Sequence, residues 1–338
     1  DTYGFPIDLT VEIAEAAGHG VDHDGFESEM QAQRERARSQ VKDVVWGKFD
    51  TVWVALADKF KSDEFVGYTE DSCETEIRAL VADEAAVDEA SAGSEVDVLL
   101  PRTPFYGEKG GQVGDTGTIE GDGFKLQVLD TTFAEKVLTV HRCKVLSGTV
   151  RVGDPCRASV DRMRRARIAR NHTATHILHA ALRQVLGTHV NQAGSLVAPD
   201  RLRFDFTHFQ AMTRAEIEEV ERIVNAKVMA ALPVSTKTME IEAARASGAM
   251  ALFGEKYGDE VRVVDVEGFS RELCGGTHVA NSAEIGLFKV VSEGSVAANV
   301  RRIEAVTSFD ALAHLNEEER VLNEAADALK VPARDVAK

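Results

Sequence analysis

Two histidines four residues apart, in the stretch RNHTATHILHAALRQV (residues 170–185), are the first candidates for chemistry. On a helix, residues four apart lie ~40° from one another around the axis, so His172 and His176 project from one face. Two imidazoles placed in this way can meet a single cation at the ~2.0–2.1 Å that zinc requires. An HxxxH pair alone serves equally well as core filling, and His179, one turn further on, is either an outer group or a bystander. A second pair shifts the reading. In ELCGGTHVAN, Cys274 and His278 flank Gly275 and Gly276, which break regular structure and let the backbone turn both side chains inward. A cysteine and three histidines in two compact pairs form a tetrahedral donor set, and zinc is the natural ion for mixed nitrogen and sulfur ligation. Four protein donors describe a closed, structural site, whereas catalytic zinc keeps one position for water. The spacing alone accommodates both an ion that stiffens a pocket and an ion with one loose ligand.

Two further stretches have types and spacing of interest. DRMRRARIAR (residues 161–170) carries Arg162, Arg164, Arg165, Arg167 and Arg170 against Asp161. A solvated helix face is the plain reading of such a cluster, and phosphate contact beside a reactive site is the functional one. FYGEKGGQVGDTG (residues 105–117) holds five glycines in thirteen residues. These serve either as tight turns between strands or to bring backbone close to a ligand.

These groups need elements to hold them. A long helix is expected over 161–186, stopping at Gly187, so that the histidines sit mid-helix. Residues 1–62 read as a helical segment: PIDLTVEIAEAAGH ends at Gly18, and FESEMQAQRERARSQVKD is charged with little β-branching. From 63 to 160 short β-rich runs alternate with Gly and Asp turns, among them ETEIRALVAD, EVDVLL and VLTVHRCKVLSGTV. That texture predicts an antiparallel sheet or a small β-barrel-like subdomain. Residues 161–307 mix strands with helices, one of them opening at Thr213 with Glu216 three positions on, a capping-box pattern. From 308 to 338 the chain turns helical, with Leu315, Leu322 and Leu329 seven apart, a stripe that wants a partner helix. The fold class is α+β.

Bulk composition bounds the rest. The chain has 338 residues, 44% hydrophobic and 28% charged, enough for two or three domains. No apolar run approaches the ~20 residues needed to cross a bilayer, so no membrane is expected. A net charge of −17 argues against indiscriminate coating of nucleic acid, not against a local basic patch. Four scattered cysteines with no CxxC pair are not a disulfide framework, so a reducing cytoplasm is expected. The start, DTYGFPIDLT, lacks an initiator methionine and the plan of a signal peptide, so the chain is expected to be part of a longer protein.

In this order, DTYGFPIDLT, FYGEKGGQVGDTG, NHTATHILHAALRQVLGTHVNQAGSLV and CGGTHV, with SEGSVAANVRRIEAVT, resemble the alanyl-tRNA synthetase family over essentially the whole chain. The matching segment is the one after that family's aminoacylation core. The resemblance implies an editing core of the threonyl/alanyl-tRNA synthetase type, which hydrolyses mischarged seryl- and glycyl-tRNA(Ala). It places the family's zinc ligands on His172, His176, Cys274 and His278. It places the editing-site glutamine on Gln192, and the threonine that senses the serine hydroxyl on Thr175. One Zn2+ is implied. ATP would serve only residues preceding Asp1, and a dimerisation and tRNA-binding domain would follow Lys338, so self-association is a question for the longer protein. The acceptor end of tRNA(Ala) is the implied partner, and Arg164, Arg165, Arg167, Arg301 and Arg302 are then candidates for phosphate contacts.

The chemistry agrees with that reading. A pocket built for alanine cannot strongly reject a smaller amino acid or one with an added hydroxyl, since such contacts are worth only ~1–3 kcal/mol. A second site that hydrogen-bonds the hydroxyl discriminates in the opposite sense, although it does not account for glycine. Thr175 has a plain alternative, a hydroxyl bonded back to its own turn. Gln192 does not titrate and is cast as a positioner. With no general base evident, assistance by a ribose hydroxyl of the substrate stays open. So do two other readings: a free-standing trans-editing deacylase, and a non-catalytic tRNA-docking module with structural zinc.

Overall fold

The computed structural model describes residues 18–22, 25–26, 50–250 and 258–336. The chain divides into a unit Asp1–Lys59 and a unit Phe60–Lys338. Of the helical reading of 1–62, α1 (Asp50–Phe60) is found; residues 1–17, 23–24 and 27–49 lie outside the described residues. Within the described residues no helix is long and apolar enough to cross a membrane.

The β-rich stretch forms an eight-stranded antiparallel sheet. Its strands are β1 (Ser72–Glu76), β2 (Ala79–Ala82), β3 (Ala85–Val87), β4 (Glu95–Leu99), β5 (Gly117–Gly121), β6 (Phe124–Ala134), β7 (Leu138–Ser147) and β8 (Pro155–Val160). They lie in the order β1-β8-β5-β6-β7-β4-β2-β3. Of the two forms expected, the open sheet is the one found. The terminal strands β1 and β3 do not pair with each other, and β3, three residues long, offers too short an edge for closure. The run ETEIRALVAD, which reads as one β segment, breaks at Ile77–Arg78 into β1 and β2, and these end up near opposite edges. Period-two alternation makes the inner face: Leu126, Val128, Cys143, Val145 and Ile119 are buried together.

The second half is organised around α2 (Arg162–Leu186). Its start is set by Asp161, whose carboxylate accepts from the Arg164 amide at 3.0 Å, and its end by Gly187 at φ 117°. The middle of this helix is buried all round, apolar and polar residues alike, as expected of a central rather than a surface helix. One side, with Ile177, Leu178 and Leu182, packs on Phe204, Phe206 and Ile303, which belong to a four-stranded sheet. That sheet runs β9 (Gln192–Val197), β10 (Leu202–Thr207), β15 (Val300–Thr307), β14 (Phe288–Ala297). Another side meets Val220 and Val224 of α3 (Arg214–Met229), which opens with the expected Thr213–Glu216 capping box. Each fully buried Phe here is worth about 1.5–3 kcal/mol of apolar transfer. A three-stranded sheet, β11 (Val234–Glu240), β12 (Glu260–Val266) and β13 (Ser270–Leu273), leads into the CGGTH turn, with α4 (Ile241–Ala246) between β11 and β12. The terminal helix α5 (Ser308–Leu329) leaves Leu322 and Leu329 exposed.

Candidate metal centre and its cavity

The two histidines of α2 face the turn that follows β13. Donor atoms of His172, His176, Cys274 and His278 all lie within 4.8 Å of one another, so the four could hold a metal ion. Cys274 Sγ is 3.3 Å from His172 Nε2 and 3.4 Å from His278 Nε2, close to the ~3.3–3.6 Å edge of a tetrahedron built with zinc–nitrogen and zinc–sulfur bond lengths. The outward nitrogens of two rings are occupied: His172 Nδ1 lies 2.8 Å from Gln112 Oε1, and His278 Nδ1 lies 3.1 Å from Thr173 Oγ1. His176 Nδ1 is buried without a hydrogen-bond partner. A bare buried imidazole nitrogen beside a thiol and two further imidazoles fits a cation.

Electrostatics point the same way. Burial holds His172 and His278 well below the ordinary imidazole range, helped by the neighbouring histidines and the Arg262 guanidinium. Burial also lowers His176, with Glu272 working against it. All three rings are therefore neutral at pH 7 and able to act as ligands. Glu272 itself is buried, which pushes its carboxyl up, yet His176, His179 and Ser270 outweigh this and hold it below the ordinary range. It accepts from Ser270 Oγ at 3.2 Å, with His179 Nδ1 at 3.1 Å and His176 Nε2 at 3.9 Å. His179 is thus an outer partner of the centre, reached through Glu272.

The CGGTH turn is fixed from outside. Arg262 Nη1 donates to the carbonyls of Cys274 and Gly276 at 2.9 and 2.8 Å, and its guanidinium stacks 4.2 Å over the Tyr68 ring. The Tyr68 hydroxyl donates to the Gly275 carbonyl. Gly276 is required by close approach: a Cβ there would fall 2.0 Å from His172 Cε1.

A cavity of about 400 Å³ opens against this cluster. His172, His176 and Cys274 form one wall, Phe65, Tyr106 and Phe133 another, and Thr175 and Gln192 also line it. The Thr175 hydroxyl donates to the Asn171 carbonyl at 2.8 Å, the back-bonded arrangement, and still borders the cavity. Gln192 Nε2 donates to Ser195 Oγ at 3.3 Å. A second cavity of about 330 Å³, lined by Arg162, Arg170, Arg262 and His278 among others, shares Tyr68 and Arg262 with the first.

The five arginines expected at phosphates all hold partners within the protein. Arg164 donates to the Gly114 carbonyl, Arg167 to both carboxylate oxygens of Asp310, Arg301 to Glu293 and Arg302 to Asp205. Arg165 departs furthest from a surface cluster. It is 7% exposed, ion-paired to Asp115, and donates to the carbonyls of Gly67 and Pro104. Its long side chain crosses to the glycine-rich loop rather than to solvent, because Asp115 is buried there and needs a cation. Sequence reasoning missed Gln112, Glu272, Tyr68 and Arg262. A partner of the centre that lies 60 positions from its histidine leaves no local spacing signal, although the glycines around Gln112 do mark its loop as constrained.

Comparison with known proteins adds the following. Residues 1–164 match the family described as tRNA synthetases class II (A), and residues 261–304 match the threonyl and alanyl tRNA synthetase second additional domain. The chain is 50% identical over 340 residues to the alanine-tRNA ligase of Acetivibrio thermocellus, covering 100% of this chain and 38% of that protein. It is 49% identical over 338 residues to the alanine-tRNA ligase of Bacillus subtilis, with the same coverage, 100% and 38%. It is 49% identical over 346 residues to that of Rhizobium meliloti, covering 99% and 39%. The chain thus spans under two-fifths of the length of these relatives.

Proposed function

The chain belongs to the alanyl-tRNA synthetase family, and from that premise we propose that it carries an editing activity. On this reading it hydrolyses the ester of seryl- and glycyl-tRNA(Ala) in the cavity beside the four-donor cluster. Residues 63–160 supply the walling sheet, and residues 161–307 the zinc-binding editing core. One observation carries the proposal: Thr175 and Gln192 line the same cavity as His172, His176 and Cys274.

The role of Thr175 follows from its hydrogen bond. Its proton is committed to Asn171, so what it offers the cavity is an oxygen lone pair. That acceptor matches the donor hydroxyl of a seryl ester and finds nothing on an alanyl ester. Gln192, an amide, orients the ester or the attacking water without exchanging a proton. Phe65, Tyr106 and Phe133 offer ring faces for the terminal adenine. A zinc ion held by the four donors would supply positive charge next to the ester carbonyl. Arg162 and Arg170, which line the second cavity, join Arg164, Arg167, Arg301 and Arg302 as candidates for acceptor-stem phosphates.

The test compares release of serine and of alanine from the corresponding tRNA(Ala) esters, wild type beside Thr175→Val. Serine-selective release is expected, with the variant losing about 10–100-fold on the seryl ester, the worth of one hydrogen bond of ~1–3 kcal/mol. A folded, metal-loaded chain that releases neither amino acid would instead favour a docking module, the reading that a closed four-donor site also fits.

A further inference from the structure

Gln112 is fully buried, at 0% exposure, in the glycine-rich loop between Tyr106 and Gly117. Its side chain reaches the metal centre. Oε1 accepts from the Thr277 backbone amide at 2.9 Å and lies 2.8 Å from His172 Nδ1, while Nε2 donates to Thr277 Oγ1 at 3.0 Å. A side-chain amide is usually ambiguous, since its oxygen and nitrogen are alike in shape. Here the ambiguity is removed, because a backbone N–H can only donate, so the atom facing the Thr277 backbone amide must be the oxygen. The same oxygen faces His172 Nδ1. Two acceptors cannot satisfy each other, so that ring nitrogen must carry the proton. The His172 proton is then on Nδ1, and Nε2, 3.3 Å from Cys274 Sγ, presents a bare lone pair.

The backbone around Gln112 is held so that this reach is fixed. The Val197 amide donates to the Gly111 carbonyl at 2.7 Å, and the Val113 amide to the Val197 carbonyl at 3.1 Å. Gly111, at φ +84°, sits so close to β9 that a Cβ would fall 2.3 Å from Ser195 Oγ. The loop is therefore clamped on the strand that carries Gln192, while its side chain clamps His172 and Thr277.

We propose that Gln112 is the positioning residue of the metal centre, locking His172 as the Nδ1–H tautomer so that Nε2 is the ligand atom. The inference rests on the reading of His172, His176, Cys274 and His278 as a metal site. It assigns the glycine-rich loop a role in metal affinity separate from any contact with substrate. A neutral amide acceptor fixes the ring without adding charge, whereas a carboxylate at the same place would also fix it and make it more basic.

The experiment measures Zn2+ affinity of the whole chain by competition with a chromophoric chelator, and the d–d spectrum of the Co2+ form, for wild type, Gln112→Met and Gln112→Glu. Gln112→Met is expected to bind about 10–100-fold more weakly with an altered Co2+ spectrum, and Gln112→Glu to recover wild-type affinity or better. Gln112→Met binding as tightly as wild type, with an unchanged spectrum, would overturn the proposal, even if both variants melt earlier. Nitrogen-15 NMR of the metal-free wild type needs no variant: protonation of His172 at Nδ1 is expected, and protonation at Nε2 overturns it. Failure of the wild-type chain to bind any metal would instead overturn the metal reading beneath it.

Discussion

Gly275 and Gly276 are adjacent and neither has a left-handed φ, yet the structure separates them sharply. A Cβ on Gly275 would have Tyr68 Oη, at 3.9 Å, as its nearest neighbour. A Cβ on Gly276 would fall 2.0 Å from His172 Cε1, 2.3 Å from its Nδ1 and 2.8 Å from Gln112 Oε1. Restoring ordinary contact at 3.4 Å requires the ring to retreat by about 1.4 Å, the difference between those distances. It has nowhere to go: Cys274 Sγ is 3.3 Å behind Nε2, and the His278 ring centroid is 4.3 Å away. Gly276→Ala is therefore expected to cost about 1–3 kcal/mol of stability through overpacking and to remove His172 as a ligand. If an apparent metal-binding energy of roughly 10–16 kcal/mol is shared among four donors, one donor is worth ~3 kcal/mol, or about 100-fold in affinity. Chelator competition with parallel thermal melts reads both effects. Gly275→Ala, the control, should stay within threefold of wild type. Wild-type metal affinity in Gly276→Ala, or an equal loss in Gly275→Ala, would refute the packing argument.

Arg165→Met should destabilise the chain by about 3–5 kcal/mol in urea unfolding, because it strands the buried Asp115 carboxylate; a loss below ~1 kcal/mol would return Arg165 to the surface class. His141 is buried in the sheet, with its pKa lowered from 6.5 to about 4 by burial, partly offset by the Val98 carbonyl. Its folded-state pKa is the lower one, so as pH falls from 6.5 the unfolded chain takes up the proton first, and stability is lost down to about pH 4. The loss should approach about 3 kcal/mol and should shrink in His141→Asn; equal pH slopes for the two proteins would reject it.

The donor set was legible because each half is local. His172 and His176 are four positions apart, as are Cys274 and His278, and helix geometry or a glycine turn closes each pair. The support around it was not legible, because Gln112, Tyr68 and Arg262 reach the centre from other elements. Their residue types are ordinary, and only the tertiary packing brings them there. Arg165 was misplaced for a related reason. A run of arginines reads as a solvated face, and nothing in DRMRRARIAR distinguishes the one that turns inward to Asp115. The helix start at Thr213 was plain, since a capping box is read from residues three apart, whereas the cap at Asp161 was not singled out. Sheet closure was not, because alternation gives a strand its two faces but says nothing of which edge it will occupy.

The separations along the chain at this centre have a kinetic consequence. Gln112 meets His172 across 60 positions, and Cys274 meets it across 102. Each pair of donors can form locally, but the contacts that join the two pairs close long loops and are expected late in folding. An ion seated there would act as a reversible cross-link between distant parts of the chain, expected to be made after the main barrier has been crossed. Interactions absent from the transition state slow unfolding and leave the folding rate almost unchanged. An ion bound by the four donors would therefore lengthen the lifetime of the native state far more than it hastens its formation. Chelation would then act as a timer on the folded chain, visible in unfolding rates before any change in refolding.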